Sequence, residues 1–165
     1  MEFLSNTVDE TIALGTRMAK FMRAGDVVLL IGDLGAGKTH FTQGFAAGMG
    51  IAETPTSPTF NIMCVYEGSD MPLYHFDLYR LNDPDELEDI DYFGITEGDG
   101  VSVVEWGDRF EEAQPDDYIM LDFHVLSTGQ RQIECTGFGR RGAELVEAFS
   151  QDSELCSQAG EGPCA

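Results

Sequence analysis

The sequence predicts a single α/β domain, and three observations carry that expectation. Residues 27–31, VVLLI, are a short, wholly apolar, β-branched run of the kind that forms strands covered on both faces of an α/β sheet. A glycine-rich loop, IGDLGAGKT, overlaps its end and runs straight into a helical pattern. Two later pairs of apolar runs flank turn-like sequences, which adds β-hairpins to the parallel core. The expected architecture is a central mixed sheet with β-hairpins, flanked by helices, spanning residues 1–150 of 165, with a disordered acidic tail over 151–165.

Taken in order, Thr7-x-x-Glu10 has the form of a capping box, and Val8, Ile12, Ala19 and Met22 recur at helical spacing, so residues 7–23 read as an amphipathic helix ended by Gly25 and Asp26. After the strand and the loop, Phe41, Phe45 and Met49 fall four apart and suit a helix over 38–49 despite its internal glycines. The stretch 52–59, AETPTSPT, opposes helix and strand and reads as an exposed functional loop. Residues 60–66 and 73–81 read as a hairpin around EGSDMP. In 82–91 the cap Asp83 and Pro84 at the first helical position predict a short acidic helix. A buried strand over 101–106, a hairpin of 118–126 with 131–138 around STGQ, and a last helix over 142–150 complete the series.

Thirty Asp and Glu against nine Lys and Arg give a net charge of −21, with no basic stripe. Direct nucleic-acid binding and docking on anionic membranes are disfavoured, because both rest on cations meeting phosphates. The amino terminus lacks the pattern of a signal peptide and no apolar run is long enough to span a membrane, so a cytoplasmic protein is expected. Cys64, Cys135, Cys156 and Cys164 have no metal-ligand spacing and read as reduced thiols.

The chemistry centres on Gly32-x-x-x-x-Gly37-Lys38-Thr39, a Walker A pattern placed after an apolar strand and before a helix, as that pattern requires. Its backbone N–H groups would cradle phosphate with help from the helix dipole, Lys38 would reach the β and γ oxygens, and Thr39 would ligate Mg²⁺. A carboxylate near the metal is also needed, and two are available. Glu105 ends the run VSVV, and Asp77 lies in LYHFDLYRL, whose period of two places His75, Asp77 and Tyr79 on one face. That polar face is either functional or simply solvated. Ser57-Pro58-Thr59-Phe60 is either a switch segment near the γ-phosphate or an ordinary proline turn, and Trp106 reads as a core or interface aromatic. Asp33, an acid within the anion loop, is expected to point away from the phosphates, capping loop N–H groups or meeting the SPTF segment, unless it orients the attacking water.

With GDLGAGKT, SPTF, HFDLYRL and VEW in this order and spacing, the chain resembles the bacterial TsaE family, also called YjeE, over roughly residues 5–140. The resemblance implies a small ATP- and Mg²⁺-dependent P-loop ATPase that works with TsaD and TsaB in forming threonylcarbamoyladenosine in tRNAs reading ANN codons. TsaD would be the transferase, and ATP hydrolysis would reset the complex between turnovers. Matched position by position, the phosphate loop falls on Gly32, Asp33, Leu34, Gly35, Ala36, Gly37, Lys38 and Thr39, and the Mg²⁺ ligands on Thr39 and Glu105. The SPT switch falls on Ser57 to Thr59, and the HxDxYR strand on His75, Asp77, Tyr79 and Arg80, so that Lys38, Glu105 and Asp77 form the implied catalytic set. By the same similarity Thr11 and Arg131 border the base and ribose. His40, where a small hydroxyl residue is frequent, and the tail after Ser150 depart from the family pattern. The acidity then implies that protein partners make the tRNA contacts.

Two other function classes compete. A small-molecule kinase would use the same loop but needs an arginine-bearing lid, and of the seven arginines only Arg140 and Arg141 are adjacent. A nucleotide-gated binding module with little turnover is the other, although no NKxD sequence provides for guanine.

Overall fold

Seven strands form one mixed sheet in the order β1-β7-β6-β2-β5-β4-β3 in the computed structural model, which describes residues 1–158. The strands are β1 (Glu2–Ser5), β2 (Val27–Gly32), β3 (Met63–Tyr66), β4 (Leu73–Asp77), β5 (Val101–Glu105), β6 (Tyr118–Val125) and β7 (Arg131–Phe138). The helices are α1 (Val8–Ala19), α2 (Lys38–Gly48), α3 (Glu86–Asp89), α4 (Tyr92–Thr96), α5 (Gly139–Gln151) and α6 (Ser153–Gln158). Strand β2 sits between β5 and β6 and is parallel to both, and β4 is parallel to β5. The antiparallel members are β3 on β4 and β7 between β6 and β1, so the two expected hairpins lie on either side of the parallel centre. Among the described residues no helix is long and apolar enough to cross a membrane.

The apolar run of β2 divides its side chains by alternation. Val28 and Leu30 face a core with Leu14 and Met18 of α1, Phe41 and Phe45 of α2, and Leu145 and Phe149 of α5. Val27 and Leu29 face the opposite core, with Leu87 of α3 and Tyr92 of α4. Burial on both faces explains why this strand has no polar positions. Helix α1 opens on its expected cap, the Glu10 N–H donating to Thr7 Oγ1 at 3.1 Å, but the return bond reaches one residue further back than a capping box has it: Glu10 Oε2 accepts from the Asn6 N–H at 2.6 Å. The glycines of α2 serve close packing on α1. A Cβ at Gly44 would lie 1.9 Å from the Ile12 carbonyl oxygen, and that contact is clasped by Thr16 Oγ1, which donates to the Gly44 carbonyl at 2.9 Å.

Several elements differ from expectation: α1 ends at Ala19, short of residue 23, β4 ends at Asp77, short of residue 81, and α4 has no counterpart in the sequence reading. Strand β1 is not signalled by the sequence: four residues are too few to show a period, yet Phe3 is fully buried and β7 supplies the ladder. Strand β3 starts at Met63 because the Pro58 carbonyl accepts from the N–H groups of Asn61 and Ile62, a turn that puts Ile62 at φ 64°. The expected helix over 82–91 shrinks to α3. Asp83 does cap a turn, accepting from the Asp85 N–H at 2.9 Å, but left-handed Asp91 (φ 52°) separates α3 from α4. Past Gln151, where the tail is expected to begin, α6 follows α5 and buries Leu155, while Asp152 accepts from the Arg17 guanidinium at 3.0 Å. Residues 159–165 of the expected tail lie outside the described residues.

Candidate functional site

Strand β2 delivers the chain to the edge of the sheet at Gly32, and the loop that follows turns into α2 through Gly37. Gly37 has φ 115°, a conformation open to glycine, and a Cβ there would lie 3.2 Å from Arg131 Nε. No side chain caps the start of α2. Its first N–H groups are therefore free to meet an anion, with the positive end of the helix dipole behind them.

The loop opens on a cavity of about 550 Å³ lined by Leu34, Gly35, Gly37, Lys38, Thr39, His40, Ser57, Thr59, Asp77, Tyr79, Glu105 and Trp106. Lys38 is 5% exposed, and its ammonium donates to the carbonyls of Gly32 and Asp33, the latter at 3.0 Å. Burial lowers its pKa, against the attraction of Glu105, Asp77, Asp33 and Asp108. An anion entering the loop would exchange with these carbonyls as partner for a cation already in place.

Neighbouring parallel strands bring the two carboxylates together. Asp77 and Glu105 are register partners at the ends of β4 and β5, and both are buried. Of the face expected to carry His75, Asp77 and Tyr79, the first two are buried and Tyr79, beyond the end of β4, is half exposed; His75 is fully buried, with Nε2 at 2.9 Å from Glu105 Oε1. Asp77 Oδ2 accepts from Ser57 Oγ and Thr59 Oγ1, each at 3.0 Å, and Oδ1 accepts from the Tyr79 N–H at 2.9 Å. The SPT segment is thus folded over one wall of the cavity by a carboxylate, which a plain proline turn would not need.

Other predicted residues lie around this centre. Gly32, Asp33 and Ala36 belong to the loop without lining the cavity, and Asp33 contributes its carbonyl to Lys38. No hydrogen bond reaches the Asp33 carboxylate among the described residues, so the expected caps are not made by it. Thr11 is fully buried behind the loop, with its hydroxyl 2.7 Å from Ser5 Oγ. Arg131 lies beside Gly37, its Nε buried without a partner. Neither Thr11 nor Arg131 lines the cavity. Trp106, read as a core or interface aromatic, is a cavity wall. It adopts φ 58°, packs at a tilt of 45° against Tyr79 with 5.0 Å between ring centres, and carries Lys38 Nζ 5.0 Å from its ring centre. Backbone strain of that kind at a bulky residue marks functional sites, but no sequence pattern reveals it.

The donor set suits a magnesium-bound nucleotide. Thr39, Glu105 and Asp77 share the cavity with Lys38, and among the described residues no three or more His, Cys, Asp or Glu could hold a metal by themselves. Mg²⁺ commonly takes one or two protein carboxylates and fills the remaining positions with water and phosphate oxygens. No arginine among the described residues lines the cavity. Arg141 and Arg140, the adjacent pair, are engaged with Asp26 and Glu144.

Comparison with known proteins gives the family and the fold. A family model described as "Threonylcarbamoyl adenosine biosynthesis protein TsaE" matches residues 5–133. The tRNA threonylcarbamoyladenosine biosynthesis protein TsaE of Bacillus subtilis is 40% identical over 147 residues, covering 89% of this chain and 92% of that protein. The protein of the same name from Streptomyces coelicolor is 44% identical over 137 residues, covering 79% and 92%. The crystal structure of Bacillus subtilis YdiB superposes with a TM-score of 0.76 at 35% identity, covering 95% of this chain and 94% of that one. A family model over most of the chain, relatives matched over most of their length and a neighbour of the same fold lead to one conclusion: the chain belongs to the TsaE family of threonylcarbamoyladenosine biosynthesis proteins.

Proposed function

We propose that this protein is a Mg²⁺-dependent ATPase that serves threonylcarbamoyladenosine formation in tRNA together with TsaD and TsaB. The observation that carries the reading is the convergence of Lys38, Thr39, Asp77 and Glu105 on one cavity at the uncapped start of α2. Backbone N–H groups of the loop and α2 hold the triphosphate, and Lys38 neutralises its β and γ oxygens. Thr39 and Glu105 hold the metal, which when bound neutralises charge developing on the transferred phosphoryl group. Asp77 keeps the Ser57 to Thr59 segment against the reacting end of the nucleotide.

Partner dependence follows from charge and surface. A chain of net charge −21 cannot hold tRNA by counterion release, so contact with tRNA runs through the complex. Around the cavity, Leu34 is 93% exposed and Phe60 82%, apolar surface suited to cover by a protein. The deciding experiment is ATP hydrolysis with and without TsaD plus TsaB. Stimulation by the partners is expected. Phosphorylation of a small-molecule acceptor, or absence of ATP-dependent co-elution with TsaD and TsaB at low salt, would overturn the proposal.

A further inference from the structure

We propose that His75 is a positioning residue that fixes the Glu105 carboxylate for a divalent cation. The inference rests on the Mg²⁺-nucleotide reading above and concerns a side chain that does not itself reach the cavity. Strands β4 and β5 are parallel neighbours with His75 opposite Val103 and Asp77 opposite Glu105, so His75 lies one step deeper than the two carboxylates. It is fully buried, absent from the cavity lining, and its Nε2 is 2.9 Å from Glu105 Oε1. Because a carboxylate accepts, Nε2 carries the proton in that bond.

Three features single out this contact. The terminal torsion of a glutamate is broad, so a carboxylate at a strand end is free to turn unless one oxygen is held. Among the described residues, the bond from His75 is the sole hydrogen bond to the Glu105 carboxylate; it fixes Oε1 and leaves Oε2 without a protein partner. Meanwhile His75 Nδ1 is buried with no hydrogen-bond partner among the described residues. An unsatisfied ring nitrogen is a cost that an apolar side chain would avoid in a position kept for packing alone. The imidazole is worth that cost only through the oxygen it holds. Donors behind a ligating group typically govern about 10–100-fold of metal affinity.

The test is calorimetric titration of the full chain with a non-hydrolysable ATP analogue, once in EDTA and once in excess Mg²⁺. The ratio of the two dissociation constants reads metal assistance separately from the phosphate loop. For H75L, affinity in EDTA should match wild type while the Mg²⁺ enhancement falls about tenfold or more. H75Q, whose amide N–H can reach the same oxygen, should recover most of it. In an E105Q background, H75L should change the enhancement no further. Should H75L fail to fold, H75N, whose shorter amide cannot reach Oε1, takes its place in the comparison. Equal enhancement in wild type and H75L, or equal losses in H75L and H75Q, would overturn the inference. A wild type that binds the analogue in neither buffer would instead overturn the nucleotide reading on which the inference stands.

Discussion

Lys38 has to stay charged in surroundings that disfavour charge. Burial lowers its pKa, while Glu105 and Asp77 attract its ammonium without forming a direct ion pair with it. Removing it in K38A leaves the carboxylates of the cavity facing phosphate with no cation among them. We expect ATP affinity to weaken about 100-fold or more in titration calorimetry, the scale of losing a preorganised donor to an oxyanion. E105A should behave differently: binding in EDTA is retained, and Mg²⁺-dependent hydrolysis falls by about 10²–10³ in a phosphate-release assay. Asp33 acts through its backbone, so D33N should keep both affinity and hydrolysis within about twofold; loss of hydrolysis alone would make its carboxylate catalytic. At this scale the sequence displays residue types and spacing, which is enough to single out Gly32 through Thr39, Asp77 and Glu105. It does not display direction. That His75 turns inward depends on Glu105, a neighbour far away in the chain, and neither the use of the Asp33 carbonyl by Lys38 nor the left-handed backbone of Trp106 is written in residue type or spacing.

The element that sets the cavity is α2, and its position depends on how near it can come to α1. With a Cβ at residue 44 colliding with the Ile12 carbonyl, G44A must push the helices apart and break the Thr16 clasp. A loss of about 1–3 kcal/mol is expected from overpacking, read as a fall in thermal midpoint, together with weaker nucleotide binding because the start of α2 shifts. The glycines of α2 looked like a weakness in a helix read by periodicity alone; they are the condition of its packing. Legibility varied between elements for a similar reason. Strand β2 and its loop carry a strong local signature, and so do the two hairpins with their turn residues. By contrast β1 and α6 gain their order from remote contacts, Phe3 in the α1 core and Leu155 beside it, which short segments cannot announce. Acidic residues 82–91 kept their turn chemistry but lost helix length to the break at Asp91.

For the molecule as a whole, scarcity of cations decides how charge is used. Arg141 is committed to Asp26 and Arg17 to Asp152, joining α5 and the start of α6 to the first third of the chain. The hydrogen bond from Arg17 holds the Asp152 carboxyl below its ordinary value. A depressed folded pKa means that this tie is fully present above the ordinary carboxylate value near ~3.9 and is lost as pH falls through the folded value. Amide protection over residues 153–158, measured relative to the intrinsic exchange rate at each pH, should therefore fall in acid, and in D152N it should be low already at neutral pH. With 30 acidic residues, self-repulsion also weakens the folded state in dilute buffer, so added salt should raise the thermal midpoint by several degrees. A last consequence comes from the indole beside Lys38. Trp106 is the chain's one tryptophan, and the ammonium of Lys38 stands 5.0 Å from its ring centre. If phosphate draws that charge away, the tryptophan emission, excited selectively over that of the five tyrosines, should shift with it. Occupancy of the loop can then be followed in unlabelled protein, in real time, by light from a single ring.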